Sequence, residues 1–324
     1  MIMQIRNAYS VYLPFALVCI FYIVIAVSPS LAGSKSQSVP DSFLVLSPDK
    51  QFDYAQELFS TQDYLTAISE YKQFIHFFPE DERIELAMFQ IGMAYYLGKH
   101  FTEAISAFKR LTEKFYETEY SIKSYFKISE AYTNLNAFDL AIINLNNLVT
   151  ITHDEDIRDE AFYRMGWIYI ETASWEKARR SFSNISLQNK HKYKLEKLAA
   201  ELDKEALIPR KNPNLAGFLS ILPGAGYLYC ERYQDALIAF LLNGGLIYAA
   251  YESFDEEHYA LGGVITFVGF GFYAGNIYGA VSSAHKFNRK KTGQFIHKLK
   301  NNTQINLSAD LEKKGIGLSF RFAF

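Results

Sequence analysis

Downstream of Ser47 the apolar positions recur every 37 residues. Aromatic residues stand at Tyr64, Phe101, Phe138 and Trp175, and alanines follow three residues later at Ala67, Ala104, Ala141 and Ala178. Large side chains come four positions further on (Tyr71, Phe108, Leu145, Phe182) and three beyond those (Phe74, Leu111, Leu148, Ile185). Steps of three and four put all of them on one helix face. A preceding helix in each unit carries Gly92, Ser129 and Gly166 in one register, with Tyr95, Tyr132 and Tyr169 three residues on. Small residues there let paired helices approach, and the large ones fill the gaps between layers. Ser47-Pro48-Asp49 predicts the first helix start: a capping hydroxyl, proline at the first helical position and an early acid. The pattern predicts four helix pairs over 48–186. Residues 187–211 are expected to cap the stack through a helix over His191–Ile208, with Leu195, Leu198, Leu202 and Ala206 facing inward.

A different pattern begins at Asn212. Two blocks, Ala236–Tyr251 and Tyr259–Ala284, hold no charge and are separated by the acidic turn Glu252–Glu257. The second is long enough for a membrane span of ~20 residues, and the first is marginal. A soluble reading would need both helices buried on every face, which so small a domain can hardly provide. Residues 212–288 are therefore read as a membrane helical hairpin, with a buried soluble hairpin as the alternative. Pro223, Gly224 and Gly226 predict a sharp break between a short helix (Leu215–Ile221) and the first long one. Gly271, Gly275 and Gly279, four apart, predict a packing stripe that pairs with Gly244-Gly245. The amides of Asn243 and Asn276 are expected to be satisfied by pairing inside the hairpin. At such depth they are also functional candidates.

Both termini carry further signals. Residues 1–32 hold one charge, Arg6, then an apolar run Val11–Val27 and Ser30-Leu31-Ala32, the pattern of a cleavable export signal or an uncleaved signal anchor. Val18 is too bulky to precede a lipid-bearing Cys19. Cleavage would leave Cys230 as the one thiol. Residues 33–47 form a polar linker. Residues 289–324 are read as a basic segment and a tail. Lys286, Arg289, Lys290, Lys291, Lys298 and Lys300 surround Phe287, Phe295, Ile296 and Leu299, as in an interfacial helix or a headgroup-facing patch. Ile305–Leu311 and Ile316–Phe324 alternate about Lys313-Lys314-Gly315, as in a β-hairpin.

The net charge of −2 excludes a general polyanion binder, but it is unevenly distributed. Residues 212–284 carry −5 and 285–324 carry +7. The export signal puts the helix pairs outside the cytoplasm, whereas basic flanks and an acidic connecting turn favour the opposite orientation. A hairpin that only dips into the bilayer, or residence in an outer membrane, would reconcile the two.

The 37-residue units resemble tetratricopeptide repeats. The stretches FSTQDYLTAISEYKQFIHFFPED and ELAMFQIGMAYYLGKHFTEAISAFKRL, with Pro79 at a helix end, are similar to the periplasmic subgroup. That subgroup includes the lipoprotein of the outer-membrane β-barrel assembly machine. Resemblance implies a mainly α chain: a tetratricopeptide-like α-solenoid, then the hydrophobic hairpin, then a short C-terminal β-hairpin. It also implies a concave face lined by the first helix of each pair, where Gln90, Lys127 and Arg164 are candidate contacts for a protein partner. Pro223, Gly224, Gly226 and Tyr229 resemble the PGxGQxYxG-like turn of a bacterial membrane domain of unknown function. Tyr227 replaces the usual Gln, and the family supplies architecture but no activity.

Catalytic signatures are missing from the sequence. The seven histidines are scattered, with no HExxH, no Cys/His ligand spacing, no Walker loop and no GxSxG elbow. Gly269–Gly275 mimics a dinucleotide loop but lies in an apolar helix. No cofactor, metal or nucleic acid is expected. The reading is a non-enzymatic adaptor of the bacterial cell envelope, its repeats in the periplasm and residues 212–300 meeting membrane lipid. The alternative is an oligomeric component of an envelope transport or assembly machine. An intramembrane enzyme around Asn243 and Asn276 is a distant third.

Overall fold

The computed structural model describes residues 46–303. The expected export signal, most of the expected linker and the expected C-terminal β-hairpin lie outside the described residues. Eight helices form the four expected pairs: α1 (Pro48–Ser60) with α2 (Tyr64–Phe77), α3 (Ile84–Leu97) with α4 (Phe101–Lys114), α5 (Glu119–Asn134) with α6 (Phe138–Ile151), and α7 (Glu155–Glu171) with α8 (Trp175–Ser183). The second helix of every pair starts on the aromatic residue that marks the period. The alanines that follow are fully buried, as are Tyr71, Phe74, Phe108, Leu111, Leu145 and Leu148. Asp63, Thr118 and Asp154 cap α2, α5 and α7 through their side chains. Ser47, by contrast, makes no capping bond, so α1 begins on Pro48 without it.

The pairs interlock through complementary sizes. A Cβ added at Gly92 would lie 2.4 Å from the Phe108 ring, and one at Gly166 would lie 2.3 Å from Phe182. In the third pair the register holds Ser129 opposite the smaller Leu145. Each intra-pair turn is also the same. Gln62, Lys99, Asn136 and Ala173 adopt positive φ, 53–67°, again 37 residues apart. The residue after each donates its N–H back five positions, as in Asp63 to Leu58 (2.9 Å) and His100 to Tyr95 (2.9 Å). None of the four is glycine.

Residues 187–211 depart from expectation. The helix there, α9, spans only Leu195–Leu202 and tightens into a 3₁₀ turn, Asp203–Leu207. Leu195, Leu198 and Leu202 are buried, but Ala206 is exposed and Ile208 takes its place in the core. Nor does this segment end the stack in solvent. Short helices α10 (Pro213–Leu219) and α11 (Ala225–Tyr229) lead into α12 (Tyr233–Asp255) and then α13 (Tyr259–Thr303). Where the sequence suggested a boundary at 288, α13 runs on unbroken for 45 residues, about 68 Å at 1.5 Å per residue. Its final turns pack Phe295, Ile296 and Leu299 into the core formed by Trp175, Tyr163, Tyr193 and Leu198. The basic segment is thus a clamp on the last repeat as well as a charged face. Lys286, Arg289, Lys290 and Lys298 are exposed, whereas Lys300 is buried and pairs with Glu171.

Helices α12 and α13 are both long and apolar enough to cross a membrane, and only 17% and 11% of their most apolar windows is buried within the chain. Leu237, Phe240, Leu241, Ile247, Phe267 and Phe270 are all more than half exposed. The single chain does not supply the burial that a soluble hairpin would need.

Replacing Gly166 by Ala should lower stability by about 2 kcal/mol, because the Phe182 ring must move. Adding Phe182→Leu should recover much of that loss, reproducing the combination of the third pair. A double-mutant cycle by chemical denaturation checks both.

Candidate functional site

Two places concentrate polar chemistry. The first lies on the leading helices of the solenoid. Gln90, Lys127 and Arg164 occupy one 37-residue register there, so successive pairs bring them into line. Gln90 reaches Gln56 Oε1 at 3.4 Å, and the same oxygen accepts the Tyr71 hydroxyl at 2.9 Å. Lys127 Nζ lies 2.7 Å from Glu130 Oε2 and 5.0 Å from the centre of the Tyr96 ring. Arg164 donates to Glu130 Oε1 (2.8 Å) and to Glu160 Oε1 (2.5 Å), and stacks at 4.2 Å over Phe126.

This is a charge-balanced ladder of two cations and two carboxylates joining the third and fourth helix pairs. Its side chains are only 9–23% exposed. Burial alone would push the Glu130 carboxyl up, but Lys127 and Arg164 more than reverse this and hold it below the usual carboxylate range. Burial and the adjacent Glu130 push the Tyr96 phenol up. Arg164 was expected to face a partner. Instead its guanidinium is engaged by two carboxylates and a ring inside the solenoid, because the α7 register places it against α5. Gln90 and Lys127 are half-buried beside it.

A comparable clamp closes the first pair. Arg83 forks onto Asp81 (both contacts 2.8 Å), reaches Asp49 at 3.0 Å, and lies 5.0 and 5.3 Å from the Phe52 and Phe74 ring centres. The Arg83 hydrogen bonds hold the Asp81 carboxyl down at about 2, against a partial opposing effect of burial.

The second place is the root of the hairpin. Gly224 has φ +86°, and a Cβ on it would lie 2.3 Å from Ala236 O. Gly226 is buried against Ser220, Ala216 and Ala280 with no room for a side chain. Pro223 sits in the bend, where the α10 ladder stops. From α13, Asn276 accepts the Gly224 N–H at 3.2 Å and donates to Ser220 O at 2.9 Å. Tyr273 donates to Ile221 O at 2.8 Å. Below them Asn288 makes a reciprocal pair of bonds with the Lys211 backbone (2.7 and 2.8 Å). The Pro-Gly turn is therefore a plug held by amides of α13, and a loop carbonyl and N–H are what Asn276 satisfies.

Several expectations change here. Asn243 and Asn276 do not pair. Asn243 Nδ2 donates to Ala239 O of its own helix at 2.8 Å, and its buried Oδ1 has no hydrogen-bond partner. Nor is the glycine stripe continuous. Gly279 packs under Tyr227, but a Cβ on Gly271, Gly275, Gly244 or Gly245 would meet nothing within 4 Å. Within one chain those four make no close helix contact. Instead Gly271 and Gly275 border an open cleft of about 400 Å³ beside Asn243. Sequence reading also missed Asn288 and Glu130, polar residues whose partners are 77 and 34 positions away. Among the described residues no cluster of His, Cys, Asp and Glu is arranged to hold a metal.

A family model described as tetratricopeptide repeat matches residues 86–115 and 160–187, on the second and fourth helix pairs. No curated protein matches the chain. Among solved structures, a tetratricopeptide repeat protein from Parabacteroides merdae is 16% identical, with a TM-score of 0.42, covering 79% of this chain and 99% of its own. A TPR repeats protein from Bacteroides fragilis is 14% identical, TM-score 0.33, covering 79% and 98%. The Rap conjugation gene regulator of plasmid pLS20, solved with the Phr* peptide, is 12% identical, TM-score 0.33, covering 84% and 82%. These likenesses are distant in both sequence and geometry.

Replacing Asn276 by Leu strands a buried N–H and a buried carbonyl, and should cost about 2–3 kcal/mol. Asn243→Leu removes an acceptor that has no partner and should be near neutral or stabilising; thermal unfolding in detergent separates the two. Acid should weaken the first repeat. A carboxylate held below its unfolded value stabilises fully above that value and loses the contribution as pH falls, here from about 4 to about 2 for Asp81. Glu130 adds loss in the same direction, and Asp81→Asn should flatten the acid limb of a stability–pH curve.

Proposed function

We propose that this protein is a non-enzymatic scaffold tethered to a membrane of the bacterial cell envelope. Tetratricopeptide repeats form helical solenoids that serve protein–protein interaction. One observation carries the membrane reading: an apolar helical hairpin exposes most of its large side chains, while the repeats joined to it bury theirs. In this reading the hairpin sits in lipid and the repeats stand beside the bilayer as an arm that recruits a protein partner. Gln90 and Lys127 remain the candidate contacts, with Arg164 acting behind them to fix the groove. An export signal at residues 1–32 would place the arm in the periplasm, as in the subgroup that the repeats resemble.

A second reading is favoured by the open faces of Gly271 and Gly275. There the hairpin packs against further copies of itself, as part of an oligomeric transport or assembly component.

Carbonate extraction of membranes, with protease added to intact spheroplasts, tests the tether. We expect the chain to resist extraction and the repeats to be digested. Release by carbonate would sink the anchor, and protected repeats would place them in the cytoplasm. Gly275→Leu separates the two readings. Loss of a cross-linked oligomer with partner capture intact supports the second, and unchanged assembly leaves the tether.

A further inference from the structure

Where α13 crosses the end of the fourth repeat, an open cavity of about 730 Å³ lies between them and the linker ahead of α10. Its charged walls come from three separate segments: Arg210 from the linker ahead of α10, Arg289 and Lys300 from α13, and Glu171 from α7. Glu171 is its one acid, and Lys300 is paired with it. Arg210 is held only loosely, 3.7 Å from Glu205, and Arg289 has no ion-pair partner among the described residues. Two guanidinium groups therefore face the same space in excess of the carboxylates.

Their placement is rigid at the backbone. Asn288, which precedes Arg289, grips both the N–H and the carbonyl of Lys211, which follows Arg210. The Trp175–Phe295 contact, ring centres 5.6 Å apart, closes the far wall. Gly293 faces open space, so the α13 backbone leaves that side clear. No acidic residue occurs anywhere in α13. Two guanidinium groups carried on an anchored backbone suit the oxygens of a phosphate.

Depth gives the source of that phosphate. Arg289 lies five residues beyond Ala284, the end of the apolar block, or about 7.5 Å along the axis. If α12 and α13 are in a bilayer, the Arg289 end of the cavity sits at the level of the headgroups. Its volume lies within the ~300–1,000 Å³ typical of ligand sites, more than a lone phosphate needs. We propose that this junction binds the phosphate of an anionic glycerophospholipid headgroup, bridging Arg210 and Arg289. The inference rests on the reading of the hairpin as a membrane anchor. A bound headgroup would tie the linker to α13, and so set how the repeat arm leaves the membrane.

The test uses the full chain purified in detergent, titrated with short-chain phosphatidylglycerol and separately with inorganic phosphate. Wild type is compared with Arg289→Ala and with Arg210→Glu/Arg289→Glu. We expect saturable phosphatidylglycerol binding, weakened at least ~10-fold in the double variant and less in the single one. Inorganic phosphate should compete poorly. If it binds as well as the lipid and shows the same arginine dependence, the anion site stands but a lipid source is overturned. Equal lipid affinity in all three proteins overturns the site. Flotation with phosphatidylcholine vesicles reports the anchor independently. All three proteins should float, and failure of wild type to do so rejects the anchor while the detergent titration still decides the cavity.

Discussion

The continuity of α13 is the constraint on which the rest of the molecule depends. A helix hydrogen-bonded along its length transmits position without a hinge, so fixing it at one level fixes it at all. It is gripped at four: by α12 along its apolar half, by the Gly224 plug through Asn276, by the Lys211 backbone through Asn288, and by the last repeat through Phe295 and Leu299. Each of its glycines costs about 1 kcal/mol relative to alanine in a helix interior, so the helix draws on these contacts for its stability.

The solenoid and the hairpin share a local device. The positive-φ turn that closes each helix pair recurs at Glu231 between α11 and α12, and at Glu257 between α12 and α13. Arg232 donates to Tyr227 O and His258 to Ser253 O over the same five-residue span. One turn thus builds both the exposed apolar pair and the interlocked repeats. What differs between them is side-chain chemistry. In the solenoid, Gly92 and Gly166 accept a phenylalanine from the facing helix. In the hairpin, Gly271 and Gly275 accept nothing from the same chain and stay open to whatever surrounds it.

The polar groups follow a similar division. Lys127, Glu130, Arg164 and Glu160 satisfy one another on the leading helices of the repeat stack, where losing Glu130 or Arg164 would take a partner from each of two half-buried or buried charges. They organise the surface more than they offer it. Arg210 and Arg289 at the junction have no such closure, and the charge excess of the chain's C-terminal part faces outward there.

Periodicity alone fixed the solenoid. The 37-residue spacing located the start of every second helix to the residue, because one face of each helix must bury the same shape in every layer. Charge-free length likewise announced the two apolar helices. The sequence could not say that the basic segment continues α13, since a charged helix and a helix boundary look alike until Trp175 is seen against Phe295. Nor could it assign Arg164 inward or Asn276 to the turn, because their partners lie 34 to 56 residues away. The four positive-φ turns were hidden for a different reason. Glutamine, lysine, asparagine and alanine carry no common signal for that conformation, and only the packing of the helices on either side imposes it.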